Sequence, residues 1–375
     1  MPGPPLSSSS YAWYPLMTSS SPISCLYATC RGYSTPIHLI DAYTSDIRAS
    51  YRPYNGADEM EGPTVVQFSP DGRRVYGTGF RSDRTIAVFD VARPGRDGMV
   101  ARLGKTRRSD DGQKGIPSAL AFPRGSGGDG PCNVFAVGTY SPASIYIYDD
   151  RMSSSRFQPA GTIVLHDGLA VVGHGRGFSR KKRRFDDDAE EEDLFSAARV
   201  NWFQSRARGG VTQLAWAPSG SENPYALFSA SRRADAVLAW DVRTLSGSRP
   251  ICGLRSYARD GDTNQRLEFD LDECGKRMFV GCGSSEGEVK VYNVGSGTLE
   301  DTVDIGQRCS NDAVNGVSYF AHHSNNPVGF GQGKYSCVLA VAVGSRHFCE
   351  PDDESDVESE FEQCPGFLQF HALKG

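Results

Sequence analysis

The chain has 375 residues, 38% of them apolar, with 42 glycines and 16 tyrosines, which suits a turn-rich β fold burying one large core or two moderate ones. No run of about 18 apolar residues occurs, which excludes a long apolar membrane helix, and the start, MPGPPLSSSS, lacks the basic and apolar segments of a secretory signal. The net charge of −5 is unevenly spread: residues 350–362 (EPDDESDVESEFE) carry eight acidic side chains and no basic one, so the remainder is mildly basic at +3 and its arginines suit a polyanion.

In chain order, residues 1–10 are rich in Pro and Ser and are expected to be disordered. Apolar alternation then predicts strands over 11–16, 24–29 and 36–41, with an outer strand over 46–51. The pattern repeats. A second unit spans 64–68, 75–78 and 85–90, with Ser69-Pro70-Asp71-Gly72 as a hairpin turn in which Pro presets φ and Gly accepts a positive one. A third covers 118–122, 134–138 and 144–149. The fourth is the best formed: 211–216, a Pro/Ser/Gly turn, 225–229, a polar turn, and a strand closing on Ala239-Trp240-Asp241. A fifth covers 267–271, 278–282 and 288–293, and a sixth 315–320, 337–343 and 366–371.

The third strands close at Asp41, Asp90, Asp149, Asp241, Asn293 and His371, at spacings of 49, 59, 92, 52 and 78. Repeated strand triplets with a Trp-Asp ending predict an all-β WD-repeat propeller over 11–371, with six blades readable. Such blades repeat at about 40–45 residues, so the excess is assigned to inserts. One, 175–208, contains RGFSRKKRRFDDDAEEED and falls between Gly173-His174 and Gly209-Gly210, at the junction of two blades. The other is the acidic loop 350–362. Both lack apolar periodicity and are expected to be exposed and disordered. Asp83, six residues before Phe89, is placed to bond across its turn, as is Glu286 before Tyr292; in the fourth blade Ala234 holds that place and Asp235 comes one step late.

Several segments carry a more specific likeness. Ala92-Arg93-Pro94-Gly95-Arg96-Asp97, and Thr263-Asn264-Gln265-Arg266 followed by Phe269-Asp270-Leu271-Asp272, resemble the telomerase Cajal body protein family of WD-repeat proteins. Trp13-Tyr14, Pro36-Ile37-His38, Ile47-Arg48-Ala49-Ser50 and Asn315-Gly316-Val317-Ser318 agree in order and approximate spacing. Proteins of that family carry an N-terminal region and one further blade upstream, giving seven in all, so Met1 falls roughly where their second blade begins. The resemblance implies an RNA-binding scaffold in the nucleus and its Cajal bodies. Its partners would be box H/ACA small Cajal-body RNAs, H/ACA ribonucleoproteins, telomerase RNA and the telomerase reverse transcriptase, in support of telomerase assembly and telomere maintenance.

The RNA-contact candidates are Arg93 and Arg96, in a cationic span with Arg102, Lys105, Arg107 and Arg108; Arg232 and Arg233, in the turn before the third strand of the fourth blade; and Arg266, at the start of the fifth. Guanidinium groups pair with phosphates and stack on bases, while each has a structural alternative in a turn or between blades. Lys181-Lys182-Arg183-Arg184 is the nuclear-import candidate. Ten cysteines form no C-x-x-C pair and are read as buried reduced thiols. Residues 329–334 (GFGQGK) fail the P-loop pattern, since Val328 stands where its first Gly belongs and Tyr335 where Ser or Thr is needed. His322-His323 lacks a partner at metal spacing, and no G-x-S-x-G occurs. No cofactor, metal, small-molecule substrate, membrane or catalysis is therefore expected. The alternatives are a protein–protein propeller, such as a splicing-factor scaffold or ubiquitin-ligase substrate receptor, and a propeller hydrolase.

Overall fold

A computed structural model describes residues 10–18, 20–104, 113, 115–123, 134–141, 143–149, 161–166, 169–173, 209–234, 236–242, 255–258, 265–283, 287–305, 313–321, 337–343 and 367–373. Its strands form six antiparallel sheets, each a meander in chain order. The first holds β1 (Ser10–Trp13), β2 (Leu26–Cys30), β3 (Ile37–Asp41) and β4 (Ile47–Tyr51). The second holds β5 (Val65–Phe68), β6 (Arg74–Thr78), β7 (Ile86–Asp90) and β8 (Met99–Leu103). The third has five strands: β9 (Pro117–Ala121), β10 (Val134–Thr139), β11 (Ser144–Asp149), β12 (Gly161–His166) and β13 (Leu169–Gly173). The fourth holds β14 (Val211–Trp216), β15 (Ala226–Ser231), β16 (Ala236–Asp241) and β17 (Arg255–Ala258). The fifth holds β18 (Phe269–Leu271), β19 (Arg277–Gly281), β20 (Glu288–Asn293) and β21 (Leu299–Asp304), and the sixth β22 (Val314–Ala321), β23 (Cys337–Val343) and β24 (Phe367–Leu373).

The triplet rhythm of the sequence is present in all six sheets. The outer strands β8, β12, β13, β17 and β21 are additions to the expected pattern. Two of them have a weak signature because they are largely open to solvent: β8 is exposed at Met99 and Val100, and β21, which reads LEDTVD, is exposed along most of its length. Two expectations shift. Residues 14–16 form a turn beyond β1, and β24 runs past His371 to Leu373. Gly173 ends β13, the fifth strand of the third sheet. The insert, its Lys181–Arg184 run, the acidic loop, His174, Asp235, Glu286, His322-His323 and 329–334 lie outside the described residues. At the Ser69–Gly72 turn, the Gly72 amide donates to the Ser69 carbonyl at 2.9 Å with a φ of 69°, as its sequence requires.

The core is divided among the seams between sheets. Val66, Phe68 and Phe89 pack with Ala28, Ile37 and Tyr51 between the first two sheets. Tyr76, Phe122, Phe135 and Tyr148 fill the next seam, with the Phe135 and Tyr148 rings stacked 5.3 Å apart. Trp216 and Trp240 lie between the third and fourth sheets, Phe228 and Phe269 between the fourth and fifth, and Phe279 and Leu339 between the last two. Sheets buried this way carry near-continuous apolar strands, and β15 (ALFSAS) and β16 (AVLAWD) are buried at every position. The Trp240 indole donates to the Ser229 hydroxyl at 2.8 Å, which satisfies its one polar atom inside the sheet.

Polar side chains bridge the same seams. The Ser10 hydroxyl accepts from the Val66 amide at 3.3 Å, Ser118 donates to the Val211 carbonyl at 2.5 Å, and Trp216 donates to the Ala121 carbonyl at 3.0 Å. Gln213 holds both backbone groups of Phe269, donating to its carbonyl at 2.8 Å and accepting from its amide at 3.0 Å. The Asp270 carboxylate accepts from the Tyr319 amide at 3.0 Å. Tyr51 and Tyr292 extend their hydroxyls to the Val91 and Ala258 carbonyls, at 2.8 and 2.6 Å.

Two predictions follow from these bonds. Gln213→Ala orphans an amide and a carbonyl in the buried seam and should cost about 2 kcal/mol in chemical denaturation. Asp41 closes β3 by accepting from the Tyr43 and Thr44 amides and, at 2.5 Å, from Arg48. The Arg48 hydrogen bond first, then those amides, hold its carboxyl down to about 2 from an ordinary 3.8. A depressed carboxylate stabilises the fold above its unfolded value, and that contribution is lost as pH falls through its folded value. Asp41→Asn should therefore be less stable at neutral pH and lose less stability than the parent between about pH 4 and pH 2 in denaturation series.

Candidate nucleic-acid interface

In each sheet the inner strand starts, and the second strand turns into the third, at the same end of the blade; we term this the upper end. The turns after β2, β6, β10 and β15 and the connections into β5, β9, β14 and β18 therefore gather there. The fold brings together side chains that are far apart in sequence. Arg31 and Tyr33 follow β2, Arg81 follows β6, Tyr140 follows β10, Arg232 and Arg233 follow β15, and Arg266 precedes β18. Arg31, Arg81, Arg233 and Arg266 are exposed, and Tyr33 and Tyr140 are 42% and 46% exposed.

Two acidic groups among these turns, Glu61 and Asp83, hold them. Glu61 is buried, accepts from the Ser82 amide at 2.8 Å, and also takes the Arg81 amide and the Ser82 hydroxyl. Asp83 accepts from the Thr85 amide at 2.9 Å and its hydroxyl at 2.6 Å, the bond across the turn that its spacing from Phe89 predicted. Carboxylates committed to backbone amides set the loop shape and leave neighbouring guanidinium groups to face outward.

Of the sequence candidates, Arg232, Arg233 and Arg266 share the upper end. The Arg232 guanidinium lies 5.6 Å from the centre of the Tyr140 ring. Arg233 has a φ of 53°, in a left-handed region that costs a residue with a Cβ about 1–2 kcal/mol. Arg266 pairs with Glu268 at 3.3 Å. Burial raises the Glu268 carboxyl above its ordinary value, with Arg266 opposing and Asp270 adding to the shift. The Tyr11 hydroxyl is raised too, by burial first and then by Glu268, with Arg266 opposing.

Arg93 and Arg96 lie elsewhere. They follow β7 in a turn that folds against the outer strand of the first sheet, where Tyr51 bridges in parallel to Gly95. The Gly95 amide donates to the Ser50 carbonyl at 2.7 Å, and the Arg52 amide to the Gly95 carbonyl at 3.1 Å. Arg96 lies 4.2 Å over the Tyr54 ring and pairs with Asp58. Arg93 is exposed, 3.8 Å from Asp90. Arg102, expected in a loop, belongs to β8, is 3.5 Å from Asp83 and donates to the Tyr54 carbonyl. The Ala92–Asp97 segment thus joins two blades. Lys105, Arg107 and Arg108 lie outside the described residues.

Tyr140, Tyr33, Arg31 and Arg81 were not singled out from sequence. Their signal was positional: each follows the second strand of a repeat. Among the described residues no group of three His, Cys, Asp or Glu side chains is placed to hold a metal. The described cysteines are all free; Cys25, Cys30, Cys282 and Cys337 are buried and Cys274 is exposed.

No protein-family model matches the chain. It is 30% identical to Telomerase Cajal body protein 1 of Bos taurus over 354 residues, which cover 93% of this chain and 50% of that one. The Homo sapiens protein of the same name is 30% identical over 92% of this chain and 48% of its own length, and the Drosophila melanogaster homolog 24% identical over 92% and 47%. A chain in the crystal structure of the mitotic checkpoint complex superposes with a TM-score of 0.52 at 14% identity, over 89% of this chain and 69% of that one, which supports the propeller fold. The chain spans about half the length of the curated relatives it matches. It belongs to the telomerase Cajal body protein family of WD-repeat proteins.

Proposed function

We propose that the chain is a non-catalytic scaffold that binds single-stranded loops of box H/ACA small Cajal-body RNAs, and telomerase RNA, through the upper end of its propeller. The observation carrying this reading is the convergence of Arg31, Arg81, Arg232, Arg233 and Arg266 with the exposed rings of Tyr33 and Tyr140. Guanidinium groups supply phosphate affinity, and exposed aromatic faces accept unstacked bases. The names of the relatives join telomerase and the Cajal body, and on that basis the protein acts in the nucleus and its Cajal bodies. Its partners are H/ACA ribonucleoproteins and the telomerase reverse transcriptase, and its role supports telomerase assembly and telomere maintenance. Lys181–Arg184 serve as the import signal. Arg96 contributes through the seam it holds between blades, and Arg93 presents an exposed charge beside it.

One observation favours an added protein-binding surface. At the opposite end of the first sheet, Leu16, Met17, Ile23 and Tyr43 are exposed in two neighbouring turns, with the Tyr43 hydroxyl 3.9 Å from the Cys25 sulfur.

Crosslinking and sequencing of RNA bound to the chain in cells should enrich H/ACA small RNAs; recovery at background level would remove the RNA reading and leave a protein scaffold. Arg232→Glu with Arg233→Glu should lower affinity and reduce the salt dependence of binding by about 0.7 in log–log slope for each lost phosphate contact. Arg96→Ala should instead lower the melting temperature by about one degree, at about 1 kcal/mol, with RNA affinity unchanged in the same titration.

A further inference from the structure

The seam between the third and fourth blades holds a more specific arrangement than a cationic face. Three segments meet there: Tyr140 in the turn after β10, Gly209-Gly210 in the connection into β14, and Arg232-Arg233 in the turn after β15. The Tyr140 amide donates to the Ile116 carbonyl at 2.8 Å, and the Arg232 amide to the Gly210 carbonyl at 3.0 Å, so both turns are fixed by their backbones. The two glycines permit the close approach. A Cβ on Gly210 would fall 2.4 Å from the Cα and Cδ2 of Tyr140, and one on Gly209 2.5 Å from the Arg232 carbonyl oxygen.

The ring held in this way is open to solvent. Tyr51, Tyr76 and Tyr148 are 0–1% exposed in their seams, and Tyr51 and Tyr148 bond their hydroxyls to the Val91 carbonyl and to Gln113. Tyr140 is 46% exposed, with a guanidinium on one side. Next in the chain after Arg232, Arg233 occupies a backbone conformation that costs energy and is itself exposed. A half-open aromatic ring with one guanidinium against it, and a second exposed arginine next in the chain, meets the needs of an unstacked base and its phosphate: a π face for the base and planar donors for the phosphate.

We propose that Tyr140, with Arg232 and Arg233 and the Gly209-Gly210 hinge that seats them, is a stacking site for one unpaired base of single-stranded RNA, whose adjoining phosphate is taken by the arginines. This rests on the RNA-binding reading above and names its site. The ring supplies sequence-tolerant stacking; choice of base falls to edge contacts from the neighbouring turns.

The test uses the full chain and the RNAs crosslinked to it, transcribed and labelled, with a fluorescent purine analogue placed at each loop position in turn. The parent and Tyr140→Phe should quench the analogue at one position and bind with similar affinity. Tyr140→Ala should abolish that quenching and weaken binding about tenfold, with the melting temperature of the chain preserved because the ring is exposed. Gly210→Ala should reproduce the loss of quenching by displacing Tyr140. Parent-like affinity and quenching in Tyr140→Ala would overturn the site while leaving the RNA reading intact. Loss of a protein partner from Tyr140→Ala with RNA affinity unchanged would also overturn it, reassigning the ring to protein contact. Absence of any crosslinked RNA on the parent chain would remove both readings.

Discussion

The structure depends on how neighbouring sheets hold each other at the inner strands. A strand triplet of this length cannot bury both its faces alone, so each sheet is stable only between neighbours. The apolar seams provide the driving force, and each Val, Leu, Ile or Phe they bury contributes about 1.5–3 kcal/mol. That force is non-directional. Register between blades is set by directional bonds, such as the two-pronged grip of Gln213 on Phe269 and the Trp216 bond to the Ala121 carbonyl. These bonds also satisfy backbone groups that twisted sheets cannot pair with each other.

Blades packed this way separate stability from recognition. The seams run between the broad faces of the sheets, while the turns project from their ends and make few demands on the core. The upper turns are free to carry Arg31, Arg81, Tyr140, Arg232, Arg233 and Arg266, provided that carboxylates such as Glu61 and Asp83 fix the loop backbones. The cost of the arrangement appears as strain at Arg233 and as the absence of side chains at Gly209 and Gly210. A loop-borne ligand site on a rigid frame is the usual outcome when chain ends converge in this manner.

The Ala92–Asp97 segment shows how a family-specific motif can be structural. Its arginines suggested a polyanion. In the fold, Gly95 exchanges hydrogen bonds with the outer strand of the preceding sheet, and Arg96 is held between Tyr54 and Asp58.

The sequence by itself determined the strand triplets, the six-fold repetition, the turn at Ser69–Gly72, and the family. Each is written in local periodicity or contiguous residues: alternation of period two, a Pro presetting φ, a Gly accepting a positive one. It did not determine outer strands such as β8 and β21, because their solvent-exposed positions lose the apolar signal. Nor could it tell that Arg96 and Arg102 pair with Asp58 and Asp83, or that Arg233 and Arg266 share the upper end. The convergence of Tyr140 with Arg232 was decided by tertiary structure alone. The two residues are joined through a seam between blades, and the distance across a seam depends on how whole sheets pack, which no local pattern encodes.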